Sequence, residues 1–176
     1  MTWQKISSKQ VYKNRFMTVT EDQLITDYGD KVVFGIVHKE PAVLIIPWND
    51  KHTTLVKQYR YPVNFFSWEW PAGHYEHASV EETARVELEE EAGIKAGKLE
   101  EIGIFHIAPG HLTQVCHVYL ATDLSEGKQH LETAEKGMKT KQVTLDKIKD
   151  MIRAGEIKDG LTITALQLLE LHLATS

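Results

Sequence analysis

The sequence predicts an α/β (α+β) fold in which strands come first and helices follow. Segments rich in β-branched and aromatic residues, separated by turn residues, fill the chain as far as Trp70, and helical periodicity first begins at Ser79. The chain has 176 residues, of which 42% are hydrophobic, so it suits one domain with its own core. We therefore expect a single domain over 1–176, with N-terminal strands over about 1–40 and a core over 41–176.

The N-terminal strands are predicted to form a β-hairpin or a small antiparallel sheet. The turn residues Asp27-Tyr28-Gly29-Asp30 separate two strand-like segments, and a second turn at 49–52 separates two more. Four strands are thus expected before the first helix, at Val11–Thr26, Lys31–Lys39, Ala42–Trp48 and Thr53–Val63.

A helix is predicted from about Ser79 to Ala92. Ser79 followed by Glu82 matches a capping box, and Gly93 supplies a left-handed stop. After it, the pattern predicts two strands split by the Pro109-Gly110 turn, an exposed loop, and two helices. These elements are Leu99–Ile107, Gln114–Thr122, the loop Asp123–Thr140, and the helices Asp146–Ala154 and Leu161–Leu173.

Three glutamates share one side of the first helix. Glu87, Glu90 and Glu91 are spaced i, i+3 and i+4, and like charges at that spacing repel unless a cation lies among them. Carboxylate oxygens suit Mg²⁺ or Mn²⁺ better than zinc, and the bend at Pro71-Ala72-Gly73 can add the Ala72 carbonyl. The acidic run taken alone is also compatible with a solvated surface.

Residues 70–94, WPAGHYEHASVEETARVELEEEAGI, resemble the Nudix box. That pattern reads Gly, five residues, Glu, seven residues, Arg-Glu, apolar, any, Glu-Glu, any, Gly, apolar. The resemblance implies the Nudix fold, a mixed β-sheet sandwiched between helices, and Mg²⁺-dependent hydrolysis of a diphosphate linkage. The second half of the box matches at Glu87, Leu88, Glu90, Glu91, Gly93 and Ile94.

The first half of the box is degenerate. Gly73 lies one residue too close to the helix, and Ala78 and Val86 stand where the pattern has Glu and Arg. We hypothesise that the two charged residues form a supporting ion pair in relatives, which an apolar contact replaces here. Arg85 is adjacent to Val86 but should point elsewhere, because one residue turns a helix by about 100°.

Upstream, residues 56–63 and 68–73 resemble the ADP-ribose and nucleoside-diphosphate-sugar hydrolase branch of the family. This resemblance implies that Arg60 contacts the substrate, since its planar guanidinium can grip phosphate or stack on a base. The alternative is an exposed strand arginine that is paired with a neighbour.

The branch also takes a catalytic glutamate from the loop before the last strand. Alignment on Val143 places Lys136 at that position and Glu135 one residue away, so Glu135 is our candidate, with Glu132 behind it. In the Ser-Pro-Gly segment of the branch, the usual glutamate is Gln114 here, and an amide cannot act as a base at neutral pH.

The predicted reaction is hydrolysis of a nucleoside diphosphate derivative to a nucleoside monophosphate and a sugar phosphate. The resemblance assigns Glu87, Glu91 and the Ala72 carbonyl to Mg²⁺, with Glu90 as a catalytic residue that binds the metal directly or through water. Two alternatives stay open. They are a non-catalytic nucleotide sensor of the same fold, and a hydrolase of another substrate such as a dinucleoside polyphosphate or an oxidised nucleotide.

The charge and the cysteine content limit which partners and which cellular location we expect. The 20 Lys and Arg against 25 Asp and Glu give a net charge of -5, which makes nucleic acid an unlikely partner. The only cysteine is Cys116, and the N-terminus has no long apolar run, so we expect a cytoplasmic protein without membrane segments. Relatives are commonly homodimers whose N-terminal strands help build the neighbour's site, and the resemblance implies the same here.

Overall fold

The computed structural model describes residues 2–76 and 78–175 and shows a mixed α and β fold, which confirms the predicted fold class. The described chain divides into two compact units. One contains the residues up to Pro41 together with Phe105–Val115. The other contains Ala42–Ile104 and the residues from Cys116 onwards.

The first unit holds a three-stranded antiparallel sheet in the order β1-β2-β3. Its strands are β1 (Gln4–Lys13), β2 (Thr18–Ile25) and β3 (Lys31–His38). Residues 105–115 join this unit through a parallel bridge between Val37 and Leu112. The small N-terminal antiparallel sheet that the sequence predicts is therefore present.

A four-stranded mixed sheet has the order β7-β4-β9-β8. Strand β4 is parallel to β9 and antiparallel to β7, and every residue of β4 is buried. The strands are β4 (Ala42–Pro47), β7 (Ala72–His74), β8 (Ile94–His106) and β9 (Val115–Glu126).

A second three-stranded antiparallel sheet has the order β10-β5-β6, from β10 (Lys139–Val143), β5 (Thr53–Arg60) and β6 (Phe65–Glu69). The predicted arrangement of strand, turn and strand around 49–52 is correct along the chain, but β4 and β5 belong to different sheets. A single bridge between Trp48 and Thr53 connects them.

The helices are α1 (Val80–Ala92), α2 (Leu145–Arg153) and α3 (Gly160–Leu173), each within one or two residues of its predicted bounds. Each begins at a side-chain cap, at Ser79, Thr144 and Asp159 respectively. Strand β4 contacts both α1 and α3, so the buried strand lies between helices. No helix among the described residues is both long enough and apolar enough to cross a membrane.

The predicted number of strands before the first helix is wrong. Seven strands precede α1 among the described residues, because the segment predicted as Val11–Thr26 is two strands that begin at Gln4, and because β6 and β7 are strands in their own right. The predicted loop Asp123–Thr140 is also shorter. Its first residues belong to β9 and its last to β10, and Thr133–Glu135 form a 3-10 turn.

Candidate active site

Helix α1 is positioned by the caps and the apolar residues that its sequence provides. The Ser79 hydroxyl accepts the Glu82 N–H at 3.0 Å, and Gly93 ends the helix with a φ of 67°. Ala84 and Leu88 are fully buried in a cluster with residues of β4 and β9. Because residues three and four apart share a helix face, this packing fixes the direction in which Glu87 and Glu91 project.

The carboxylate of Glu87 lies directly over the backbone of Gly73 in β7. A Cβ atom placed on Gly73 would be 1.8 Å from Glu87 Oε1 and 2.0 Å from its carboxyl carbon. No side chain larger than a hydrogen atom fits there unless Glu87 moves. The glycine of the degenerate box is therefore required by the close approach of a glutamate to the chain.

Glu91 is tied to the same strand. Its Oε2 accepts the Ala72 N–H at 2.8 Å, and only 2% of the residue is exposed. In an antiparallel strand the N–H and C=O of one residue point to the same edge, so the Ala72 carbonyl faces the side on which Glu91 lies. β7 is the edge strand of its sheet, so no neighbouring strand of that sheet covers this side.

Both glutamates are held where a negative charge is costly. Burial, and then the charges of Glu135 and Glu90, raise the pKa of Glu87 to about 8. Burial raises the pKa of Glu91 well above its usual range, against the opposing hydrogen bond from Ala72 and with a further increase from Glu87. Both carboxyl groups thus hold their protons more tightly than usual, and a cation among them would stabilise their charged forms.

The donor set of this site fits a hard divalent cation. Glu87, Glu91 and the Ala72 carbonyl provide oxygen atoms only, which is the chemistry that Mg²⁺ and Mn²⁺ take. Among the residues that the structure describes, no group of three or more His, Cys, Asp or Glu side chains is arranged to hold a metal ion. The assignment of Glu87, Glu90, Glu91 and the Ala72 carbonyl to the metal therefore stays a prediction.

The loop between β9 and β10 folds over the C-terminal end of α1. The His130 N–H donates to the Glu90 carbonyl at 3.0 Å, and the Gln129 side-chain amide donates to the Glu91 carbonyl at 2.7 Å. These carbonyls have no partner within the helix, because they belong to its last turn. The loop is thus anchored to the helix that carries the carboxylates.

Within this loop, Glu135 lies near the carboxylates. Its charge raises the pKa of both Glu87 and Glu91, and Glu132 acts more weakly on Glu87. The Glu135 side chain also accepts the Glu132 N–H at 2.9 Å, which makes a capping box around the 3-10 turn. Lys136, which alignment places at the position of the branch's catalytic glutamate, is exposed.

Arg60 of β5 is paired with Glu69 of β6. Its Nε donates to both carboxylate oxygens of Glu69, at 3.2 and 3.0 Å, and its Nη2 donates to Oε2. The side chain of Glu69 is 3% exposed and that of Arg60 is 41% exposed. The alternative, an arginine paired with a neighbour, agrees with this geometry, in which Nη1 takes no part in the pairing with Glu69.

The pKa of Arg60 responds to Glu69 and also to Glu91, a carboxylate of α1. Burial lowers the pKa of Arg60, but the hydrogen bonds and charge of Glu69 outweigh it and raise the pKa, with smaller increases from Asp159 and Glu91. Burial raises the pKa of Glu69, although Arg60 opposes this. The bidentate contact requires an ionised carboxylate, so we regard both partners as charged.

Sequence reasoning missed Glu69, Gln129 and Asp159. Glu69 sits between two tryptophans in Trp68-Glu69-Trp70, and an acid flanked by large apolar residues is a signal of a buried charge that needs a cationic partner. Asp159 is recognisable as a helix cap but not as a neighbour of Arg60. Gln129 carries no signal, because its partner is a main-chain carbonyl 38 residues away.

The departures from the family pattern have partial explanations. Arg85 points elsewhere as expected, since it donates to the Ala96 carbonyl at 2.8 Å and pairs with Glu81. Gln114 is 4% exposed, and its amide donates to the Glu40 carbonyl at 2.7 Å, a bond that an ionised glutamate could not make. The predicted apolar contact between Ala78 and Val86 stays a prediction.

Two models of known protein families match this chain. The NUDIX domain model matches residues 38–161, and a model described as the nucleoside diphosphate sugar hydrolase N-terminal domain matches residues 3–29. The chain belongs to the Nudix family. The matched range includes β7, α1 and the loop with Glu135, so it covers the whole carboxylate site.

Similar proteins match this Nudix chain over nearly its full length. An ADP-ribose pyrophosphatase of Bacillus subtilis (strain 168) is 32% identical over 96% of this chain and 93% of its own. A methanol dehydrogenase activator of Bacillus methanolicus is 30% identical with the same coverage of both chains. A crystal structure of an ADP compounds hydrolase shares the fold with a TM-score of 0.87, at 22% identity and over 99% of this chain and 96% of that one.

Membership confirms the predicted enzyme class, a Nudix pyrophosphohydrolase that hydrolyses a phosphoric anhydride. Nudix hydrolases generally use a divalent metal ion, in agreement with the oxygen donors around Glu87 and Glu91. The individual roles of Arg60, Ala72, Glu87, Glu90, Glu91 and Glu135 stay predictions.

Proposed function

We propose that this Nudix protein hydrolyses the diphosphate bond of ADP-ribose or a related nucleotide sugar in the presence of Mg²⁺. The products are a nucleoside monophosphate and a sugar phosphate. The observation that carries this proposal is the pair of buried glutamates, Glu87 and Glu91, held against the backbone of Gly73 and Ala72. The substrate class is supported by the ADP-ribose pyrophosphatase named among its relatives.

Glu87, Glu91 and the Ala72 carbonyl are the proposed metal ligands. Mg²⁺ bound there supplies positive charge to the diphosphate and makes a bound water more acidic. The protein contributes a fixed arrangement, because one glutamate is wedged over Gly73 and the other is bonded to the Ala72 N–H. Ligands held in this way need little rearrangement when the ion binds.

Glu90 and Glu135 are the proposed catalytic carboxylates. Glu90 lies one residue before Glu91 on α1, and its carbonyl anchors the loop through His130. Glu135 sits in that loop, close enough to raise the pKa of both buried glutamates. We assign to Glu135 the removal of a proton from the attacking water, and to Glu90 the binding of the metal or of a water on it.

Arg60 is the proposed contact to the substrate. Glu69 fixes the plane of its guanidinium by a bidentate bond, and Nη1, which takes no part in that bond, can donate to a phosphate oxygen. A phosphate bound between Arg60 and a Mg²⁺ ion held by the carboxylates would be neutralised from both sides. The charge of Glu91 raises the pKa of Arg60, and the charge of Arg60 lowers the pKa of Glu91, so the two groups interact electrostatically.

We also propose a homodimer and a cytoplasmic location. The dimer is supported by the exposed apolar side chains of the N-terminal sheet, where all of β1 is exposed. The location is supported by Cys116, a buried free thiol whose pKa burial raises to about 12. The apolar side chains that are about half exposed in this sheet and its turns are Trp3, Ile6, Val11, Tyr12, Phe16 and Val33.

The test is incubation of the purified chain with ADP-ribose, several nucleotide sugars, a dinucleoside polyphosphate and an oxidised nucleotide, each with Mg²⁺ or with EDTA. We expect Mg²⁺-dependent release of a nucleoside monophosphate, fastest from ADP-ribose or a nucleotide sugar. Turnover of only the polyphosphate or the oxidised nucleotide would change the substrate class. Binding without turnover of any compound would instead support the sensor, which the degenerate first half of the box favours.

A further inference from the structure

One face of the sheet β10-β5-β6 carries aromatic rings and lysines side by side. The register places Lys57 opposite Trp68 and Tyr59 opposite Phe66, so these four side chains share a face. We call this surface the basic aromatic face. Its members are Lys57, Tyr59, Phe66, Trp68, Lys139 and Lys141.

Two of the three rings of the basic aromatic face are open to solvent, and the third, that of Trp68, is half-buried. Phe66 is 57% exposed and Tyr59 is 42% exposed, with ring centroids 5.0 Å apart. A contiguous patch of exposed apolar side chains indicates a binding surface, whereas a single exposed apolar residue does not. The opposite end of the same face, at Leu55 and Val143, is buried and supports the exposed part.

The cations of this face are arranged around the rings. The Lys57 Nζ lies 5.7 Å from the Phe66 ring centroid and 5.8 Å from that of Trp68, and the Lys141 Nζ lies 5.5 Å from Trp68. Lys139 stands directly opposite Lys57 in the register. Like charges in that position destabilise a sheet, and among the described strand residues of this face none is acidic.

Three lysines without strand carboxylates are unusual in a chain whose net charge is -5. The charge of the whole chain argues against nucleic acid, but this local charge is of the opposite sign. A face that alternates aromatic rings with cations complements a chain of bases joined by phosphates. Double-stranded nucleic acid does not match it, because the bases of a duplex are not free to stack on protein rings.

We propose that the basic aromatic face binds single-stranded nucleic acid, with bases stacked on Phe66, Tyr59 and Trp68 and phosphates bound by the lysines. The interaction energies favour the replacement of a lysine–ring contact by a stacked base. A lysine over an exposed ring contributes about 0.5–1 kcal/mol, whereas a stacked base contributes about 1–3 kcal/mol. A base can therefore displace the ammonium group, which then contacts a phosphate.

This face is separate from the carboxylate site. Residues of β5 alternate between the two sides of the sheet, so Arg60 points away from Lys57 and Tyr59. Glu69, the partner of Arg60, alternates in the same way with Trp68. Nucleic acid on this face would leave Arg60 and the carboxylates free, so the proposal does not depend on the identity of the hydrolysed substrate.

The test uses a fluorescein-labelled ten-nucleotide oligouridine and the full chain, followed by fluorescence anisotropy in EDTA at several salt concentrations. We expect micromolar binding at low salt that weakens as salt rises, with a log-log slope of about -2 for three phosphate contacts. Phe66→Ala should weaken binding about 5-fold or more, and Lys141→Ala should reduce the slope by about 0.7.

Lys158→Ala is the matched control. Lys158 also lies over a ring, with its Nζ 4.5 Å from the centroid of Phe65, but Phe65 pairs with Arg60 on the other side of the sheet. Its removal should leave oligonucleotide binding unchanged. Saturating ADP-ribose should not displace the oligonucleotide.

Several results would overturn the proposal. These are no binding at low salt, equal binding by the wild type and both face variants, or displacement by ADP-ribose. Sedimentation of the wild type and Phe66→Ala tests whether a second copy of the chain, and not nucleic acid, covers this face. A change from dimer to monomer in the variant, without any change in oligonucleotide binding, would assign the face to a second copy of the chain.

Discussion

Glu87 Oε1 occupies the space where a side chain on Gly73 would begin, only 1.8 Å from the position of its Cβ. This contact joins the loop that starts the Nudix box to the helix that ends it. Gly73 is shifted by one residue relative to the family pattern, but it still lies under Glu87, which we propose as a metal ligand.

Gly73→Ala should therefore inactivate the enzyme without unfolding it. The new methyl group would displace the Glu87 carboxylate, and a misplacement of about 1 Å can reduce turnover by about 100-fold. Turnover of ADP-ribose with Mg²⁺ is the measurement, with circular dichroism to check the fold. Gly35→Ala is the control, because a Cβ at Gly35 meets nothing within 4 Å. Equal activity of the two variants would show that the contact does not position Glu87.

The stability of the metal-free protein should fall as the pH rises from about 4.5 to 8. Burial raises the pKa of Glu87 to about 8 from an ordinary value of 4.5, so the folded state holds its proton more tightly than the unfolded state does. The stabilisation is complete below pH 4.5 and is lost as the pH passes through 8.

Glu87→Gln should flatten this pH dependence. At pH 8 it should raise the free energy of unfolding of the metal-free protein by at most about 3–5 kcal/mol. Urea denaturation in EDTA at pH 5 and pH 8 measures the effect. Addition of Mg²⁺ at pH 8 should stabilise the wild type and have a smaller effect on the variant. A wild type that is more stable at pH 8 than at pH 5, by an amount that Glu87→Gln does not alter, would contradict the electrostatic account of the site.

Arg60 and Glu69 should be thermodynamically coupled. Arg60→Ala leaves the buried Glu69 charge without a partner and should destabilise the fold by about 1–3 kcal/mol, below the range for fully buried pairs because Arg60 is part exposed. The double variant Arg60→Ala with Glu69→Ala should recover part of this loss. Urea denaturation of both single variants and the double variant measures the coupling. Additive losses would mean that the pair is not formed in solution.

The role of Arg60 in substrate binding has a separate test. Arg60→Lys keeps the charge but loses the planar fork, so KM for ADP-ribose should rise about 10-fold with a smaller change in kcat. A KM equal to that of the wild type would confine Arg60 to a structural role.

Glu135→Gln should lower kcat by about 100-fold to 10,000-fold, which is the usual contribution of a general base, and leave KM nearly unchanged. The glutamine oxygen can still accept the Glu132 N–H, so the 3-10 turn should persist. Lys136→Ala is the control at the position that alignment assigns to the catalytic residue. If the lysine variant loses activity and the Glu135 variant does not, the assignment of the base is wrong.

Local signals in the sequence were enough to predict the helix that carries the site. Ser79, Glu82 and Gly93 act through the next few residues only, and the structure places them where capping chemistry requires. The spacing of Glu87 and Glu91 likewise depends on helix geometry alone. Elements of this kind are predictable because their causes lie within one or two helical turns.

Contacts between distant segments were not predictable in this way. The bonds of Gln129 to the Glu91 carbonyl and of Gln114 to the Glu40 carbonyl join a side chain to a main-chain atom 38 and 74 residues away. A carbonyl acceptor exists at every residue, so the sequence around it carries no information about its partner. The short strand β7 was missed for a related reason, since its three residues form a strand only by pairing with β4.

The most direct test of the central claim is product analysis by phosphorus NMR of ADP-ribose incubated with the wild type and with Glu91→Gln. We predict that the wild type with Mg²⁺ converts ADP-ribose to AMP and ribose 5-phosphate, that EDTA abolishes the conversion, and that Glu91→Gln lowers the rate by at least about 100-fold. Conversion that persists in EDTA, or that proceeds at the wild-type rate in Glu91→Gln, would contradict a metal-dependent diphosphate hydrolase built on this glutamate.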